Sequence, residues 1–66
     1  MIVERIVNGD VIRYSVCSDA KDTGGKVREI AVFDDFETAV IVMKYMRGDR
    51  MQERDKQYAK EAIRRV

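Results

Sequence analysis

The residues whose types could do chemistry gather in one short stretch, Ser18-Asp19-Ala20-Lys21-Asp22-Thr23-Gly24-Gly25-Lys26. Asp22-Thr23-Gly24 spells a triplet in which an aspartate, set beside a second carboxylate, can share a proton and activate water, because like charges so close cannot both ionise. That chemistry needs two copies of the triplet and an apolar strand leading into each. Here one copy stands in a polar stretch flanked by Lys21 and Lys26. Asp19 and Asp22 could offer oxygen to calcium, but the alternating ligands and closing glutamate of a calcium loop are missing. Gly24-Gly25-Lys26 could approach a phosphate only if a helix began behind it, whereas the residues that follow read as a strand. With no His and a single cysteine, Cys17, neither a nucleophile–base pair nor a four-ligand zinc site can be assembled. No catalytic residue, no metal site and no cofactor is expected, and the stretch reads as a contact loop or a connector.

The elements that must carry any function are few. At 66 residues the chain has room for one domain, and a core of this size rarely supplies more than about 3–5 kcal/mol of net stability. Small domains add a disulfide, a metal or a second subunit to that. A lone cysteine excludes an intrachain bridge and suggests a reducing compartment. A homodimer, or a monomer working inside a larger complex, is the remaining expectation. No apolar run approaches the ~18 residues of a membrane span, and the first residues show no signal-peptide pattern, which leads to the expectation of a soluble, cytoplasmic protein. Charged residues make up 38% of the chain and nearly cancel, to +1. Their distribution is uneven: positions 1–46 hold 6 basic and 8 acidic side chains, and positions 47–66 hold 7 basic and 4 acidic.

Asn8-Gly9 stands between two β-branched runs, and this pair is the strongest short hairpin signal. Strands are expected over 1–7 and 10–17. A two-residue Asn8-Gly9 turn sets Val7 against Asp10, Val3 against Tyr14 and Glu4 against Arg13, an opposite-charge pair; a three-residue turn would set Arg5 against Arg13. Val3, Ile12, Tyr14 and Val16 then form the core face, with Glu4, Arg13 and Ser15 on the other. That other face also carries Ile2, Ile6 and Val11, more apolar area than a solvated face needs. A third strand is expected over 27–33.

Asp34 with Glu37 has the form of a capping box, and a helix is expected over 35–47 despite the β-branched run Val40-Ile41-Val42. Its stripe of Phe36, Ala39, Val40, Met43 and Met46 would pack on the sheet. Ile41 and Tyr45 stand four residues apart on the opposite side and require a second cover. Gly48 ends this helix, Asp49 with Gln52 can cap the next, and a second helix is expected over 50–65. Met51, Tyr58, Ala59, Ala62, Ile63 and Val66 form its apolar stripe, interrupted by Asp55, while Arg50, Arg54, Arg64 and Arg65 project away and Glu61 is placed to support Arg65. The fold class is α+β: a three-stranded antiparallel sheet followed by two helices, with the first helix packed on one sheet face.

Three strands and a helix, with Phe33-Asp34-Asp35-Phe36-Glu37-Thr38-Ala39 at the junction, resemble over about residues 2–46 the small sheet-reading DNA-binding domains of plant AP2 type and of phage integrase arms. The resemblance implies DNA reading by Arg and Trp on the exposed sheet face. This chain departs from it: it has no Trp, and Arg5, Arg13 and Arg28 are offset by Glu4 and Glu29. The basic last helix, with Arg50, Arg54, Arg64 and Arg65, is the better candidate for touching nucleic acid. The leading expectation is a non-enzymatic interaction module, an inhibitor, adaptor or regulator that binds a protein through Ile41 and Tyr45 or through Asp19, Asp22 and Lys26. In size and element order it is similar to accessory proteins of phages and mobile elements, anti-CRISPR proteins among them.

Overall fold

A computed structural model of the chain describes residues 1–18 and 28–65. The expected order holds: strands β1 (Ile2–Asn8), β2 (Val11–Cys17) and β3 (Glu29–Phe33) precede helices α1 (Phe36–Arg47) and α2 (Glu53–Arg64). The strands form one antiparallel sheet in the order β1-β2-β3, and α1 lies on it. Among the described residues no helix is long and apolar enough to cross a membrane.

The hairpin register differs from the expected one. Asn8 pairs with Val11, Val7 with Ile12, Ile6 with Arg13, Arg5 with Tyr14 and Val3 with Val16, so the turn residues are Gly9 and Asp10. Gly9 has φ 62°, and among the described residues no non-glycine residue has positive φ. A single positive φ at the first central position is the type II′ pattern; the type I′ turn read from Asn-Gly needs two. Asn8 is therefore free to join the strand, and Glu4 faces Ser15 instead of Arg13. The slip is two residues. Because side chains alternate with period 2, a two-residue slip leaves every face unchanged. Val3, Tyr14 and Val16 accordingly pack toward the helices as expected, while Ile12, near the turn, is exposed. Between β2 and β3 the register shifts after Val16: Ala31 faces Val16, Glu29 faces Cys17, and Ile30 is the extra residue of a bulge.

The cap of α1 is Asp35, not Asp34. The Asp35 carboxylate accepts from the Thr38 backbone N–H at 3.0 Å and the Thr38 hydroxyl at 3.1 Å, while Asp34 pairs with Arg13 at 3.5 Å. Two adjacent aspartates could each cap; the ion pair to β2 engages the first and leaves the second for the helix. Asp35→Ala is expected to cost about 1 kcal/mol, the usual price of a lost N-cap, and Asp34→Ala a few tenths, since exposed ion pairs contribute little. Urea unfolding of the two variants would expose a wrong assignment by inverting that order.

The buried face of α1 is centred on Ala39 and Val42, both with 0% exposure. The expected stripe was centred roughly 65° away at ~100° per residue; of its members, Phe36 and Met46 are exposed. Phe36 covers Tyr14 edge-on, with ring centroids 5.3 Å apart. The rotation follows from α2, which docks on α1 and draws the buried face into the angle between sheet and second helix. The core is the cluster Val16, Ala39, Val42 and Ala59, one residue from β2, two from α1 and one from α2.

Gly48 ends α1 at φ 83°, and the following turn closes through Asp49 N–H to the Lys44 carbonyl at 3.0 Å. Helix α2 begins later than expected, at Glu53, with Gln52 as an N-cap that makes no side-chain bond. Asp49 does not cap it because Arg47 Nε donates to both carboxylate oxygens, at 3.0 and 3.1 Å. That hydrogen bond, with the charges of Arg47 and Lys44 added to it, holds Asp49 below the usual carboxylate range against the desolvation that would raise it. A depressed carboxylate stabilises above its unfolded pKa, and the contribution is lost as pH falls through the lowered value.

Candidate functional site

The expected contact residues occupy different environments. Ile41 and Tyr45 are half-buried and pack against the core cluster of their own chain, so much of the cover they require is supplied internally. Asp19, Asp22 and Lys26 lie outside the described residues. Arg50, Arg54, Arg64 and Arg65 are exposed, and no ion pair joins Glu61 to Arg65. Arg65 instead lines an open cleft of about 440 Å³ with Arg13, Asp34, Asp35, Tyr58 and Glu61. The Tyr58 and Thr38 hydroxyls, 2.8 Å apart across this cleft, tie α2 to the start of α1. Its two guanidinium groups are outnumbered by three carboxylates, which makes it a poor seat for a phosphate chain.

Asp55 is half-buried, and its side chain forms no ion pair or hydrogen bond. No unpartnered polar side-chain atom is buried among the described residues, so its carboxylate reaches solvent at the edge of the core. The sheet face away from the helices contains a surprise at Ser15, expected in solvent but only 1% exposed. Its hydroxyl donates to Glu29 Oε1 at 2.9 Å and lies 3.3 Å from the buried Cys17 thiol. Cys17 is thus a small packed side chain at the end of β2. Among the described residues no three His, Cys, Asp or Glu side chains gather as a metal site.

Among the described residues, exposed large apolar side chains gather at the turn-proximal half of the hairpin. Val7 and Ile12, a cross-strand pair on the helix-facing side, are 58% and 45% exposed; Ile6 and Val11, on the other side, are 39% and 50%. Ile2 and Phe36 are exposed as well. Single exposed aliphatic residues are ordinary, but four in paired strands, uncovered on both faces, form a surface that protein partners use. The excess on one face was visible in Ile2, Ile6 and Val11. Val7 and Ile12 were missed because they share the face of Val3 and Val16, and only the placement of the helices shows that this end is uncovered.

What the arrangement can do chemically is bind: an apolar hairpin end offers desolvation, and the flanking Arg5, Arg13 and Glu4 offer charge pairing. Compared with family models, with curated protein sequences and with solved structures, the chain finds no match.

Proposed function

We propose that the protein is a non-catalytic interaction module that binds another protein and acts by occupying part of its surface, as an inhibitor, adaptor or regulator does. The observation that carries this reading is the exposed hairpin end of Ile6, Val7, Val11 and Ile12. We take the partner to be a different protein: Ile41 and Tyr45, whose need for a second cover favoured a second copy, are half-buried within their own chain. A free buried Cys17 goes with a reducing, cytoplasmic setting.

Affinity capture from the source organism after nuclease treatment, comparing the wild-type chain with Val11→Lys/Ile12→Lys, tests the reading. Both positions are exposed, so folding changes by under about 1 kcal/mol, whereas charged groups in an apolar contact reduce recovery of the partner at least about tenfold. Identical recovery by the two baits would overturn it. The second reading, nucleic-acid binding, is favoured by the exposure of Arg50, Arg54, Arg64 and Arg65. It requires a gel shift at low salt that weakens steeply as salt rises and is lost in Arg54→Ala/Arg64→Ala/Arg65→Ala.

A further inference from the structure

The order β1-β2-β3 leaves β1 at the sheet edge, seven residues long, without Pro or Lys and away from the bulge, which lies between β2 and β3. Pro, Lys and bulges are among the devices that close an edge to added strands; the charges β1 does carry, Glu4 and Arg5, are of opposite sign and admit a partner that answers both. Ile2, Ile6 and Val7 are exposed. Glu4 and Arg5, adjacent and of opposite sign, are exposed too and make no side-chain hydrogen bond or ion pair.

A second folded copy fits this edge badly. Two identical edges related by a two-fold axis must pair antiparallel. Along a strand the backbone N–H and C=O groups of successive residues point to opposite sides, so only alternate residues face the free edge. Two such edges can therefore join only in registers centred on a residue. Centred on Arg5, the whole strand pairs but guanidinium opposes guanidinium; centred on Glu4, carboxylate opposes carboxylate, and like charges directly opposite destabilise. Centred on Ile6, Arg5 meets Val7 and Glu4 meets Asn8, which leaves both charges unanswered. The register that would match every pair, Glu4 to Arg5, Val3 to Ile6 and Ile2 to Val7, is centred between residues and closed to a folded copy. A free extended segment can reach it, because it can present either of its own edges.

We propose that the free edge of β1 receives an extended segment of a partner protein as a fourth strand, and that this segment, running antiparallel, carries an acidic residue followed directly by a basic one between pairs of aliphatic residues. The basic residue then faces Glu4, the acidic one faces Arg5, and the aliphatic pairs flank Ile2, Val3, Ile6 and Val7. Backbone hydrogen bonds supply affinity and the charge order supplies direction and specificity. The proposal rests on the protein-binding reading but is read at different residues, so that peptide addition at β1 and partner capture through Val11 and Ile12 can each fail alone.

The test is a titration of the isotope-labelled full chain with the synthetic peptide Ile-Val-Glu-Arg-Ile-Val, flanked by solubilising residues, and with the control Ile-Val-Arg-Glu-Ile-Val. Amide shifts are expected to concentrate in β1, with the control binding about tenfold more weakly. The variant Glu4→Arg/Arg5→Glu, altered at two exposed positions, is expected to reverse that preference. Equal binding of the two peptides, no β1 shifts at millimolar peptide, or an unchanged preference in the charge-exchanged variant would each overturn the proposal. So would a chain that sediments as a dimer with β1 outer-edge amides protected from exchange, since a second copy would then hold the edge.

Discussion

Val42→Ala is expected to lower the unfolding free energy by about 2–3 kcal/mol, from roughly 0.8 kcal/mol for each of two methyl groups removed plus the cavity left behind. Val42 is fully buried in the cluster that joins β2, α1 and α2, so its neighbours come from three elements and cannot all collapse onto the gap. A core of this size rarely supplies more than about 3–5 kcal/mol, so the loss is expected to leave a measurable unfolded fraction at room temperature and to lower Tm by roughly 10–20 °C. The comparison that gives the measurement its force is Val40→Ala. Val40 belonged to the expected sheet-facing stripe, yet it is only half-buried, and its truncation is expected to cost about 1 kcal/mol or less. Chemical denaturation of both variants decides the matter: a larger loss at Val40 than at Val42 would show that α1 presents a different face to the sheet.

That comparison also marks where the sequence was legible. Element type and order follow from local signals: β-branched runs around Asn8-Gly9, an aspartate pair before Phe36, and Gly48 after Arg47. What required the structure was the choice among equivalent local solutions. Asn8 and Gly9 can both sit in a turn, and the chain uses Gly9 with Asp10 because type II′ needs positive φ at one position only. Asp34 and Asp35 can both cap, and the position of Arg13 on β2 decides between them. The face of α1 was ambiguous because Val40, Ile41 and Val42 place aliphatic side chains around most of the helix, so periodicity alone does not select one side. For the candidate site, Ile2, Ile6 and Val11 signalled surplus apolar area on one sheet face, whereas the exposure of Val7 and Ile12 depends on how far the helices extend along the hairpin. No period-2 pattern contains that length. Edge status is of the same kind: Glu4 and Arg5 are ordinary strand residues until the order β1-β2-β3 leaves them on the rim.

Ala59→Leu is the complementary expectation, a loss by overfilling. Ala59 has no exposure and shares its cluster with Ala39, so the close approach of α2 to α1 depends on small side chains at the contact. Three added carbons force either strained rotamers or an outward shift of α2, at about 1–3 kcal/mol. Which one occurs is open to measurement. Helix α2 is tied to the rest of the fold by one buried residue, Ala59, by the partly buried Ala62 and Ile63 packed on the core, and by a hydroxyl contact, Tyr58 to Thr38, and no described strand follows it. The sheet and α1 retain Val16, Ala39 and Val42 in mutual contact without it. Local unfolding runs through the least tied element first, so hydrogen exchange in Ala59→Leu is expected to accelerate across α2 while β2 and the first turns of α1 keep most of their protection. Uniform acceleration in all five elements would instead show that α2 is part of the single cooperative core. The distinction bears on function. The hairpin end and the β1 edge belong to the sheet, whereas Arg54 and Arg64 ride on α2; a variant that loosens α2 should therefore leave peptide addition at β1 within about threefold of wild type and disturb only contacts made through the basic helix.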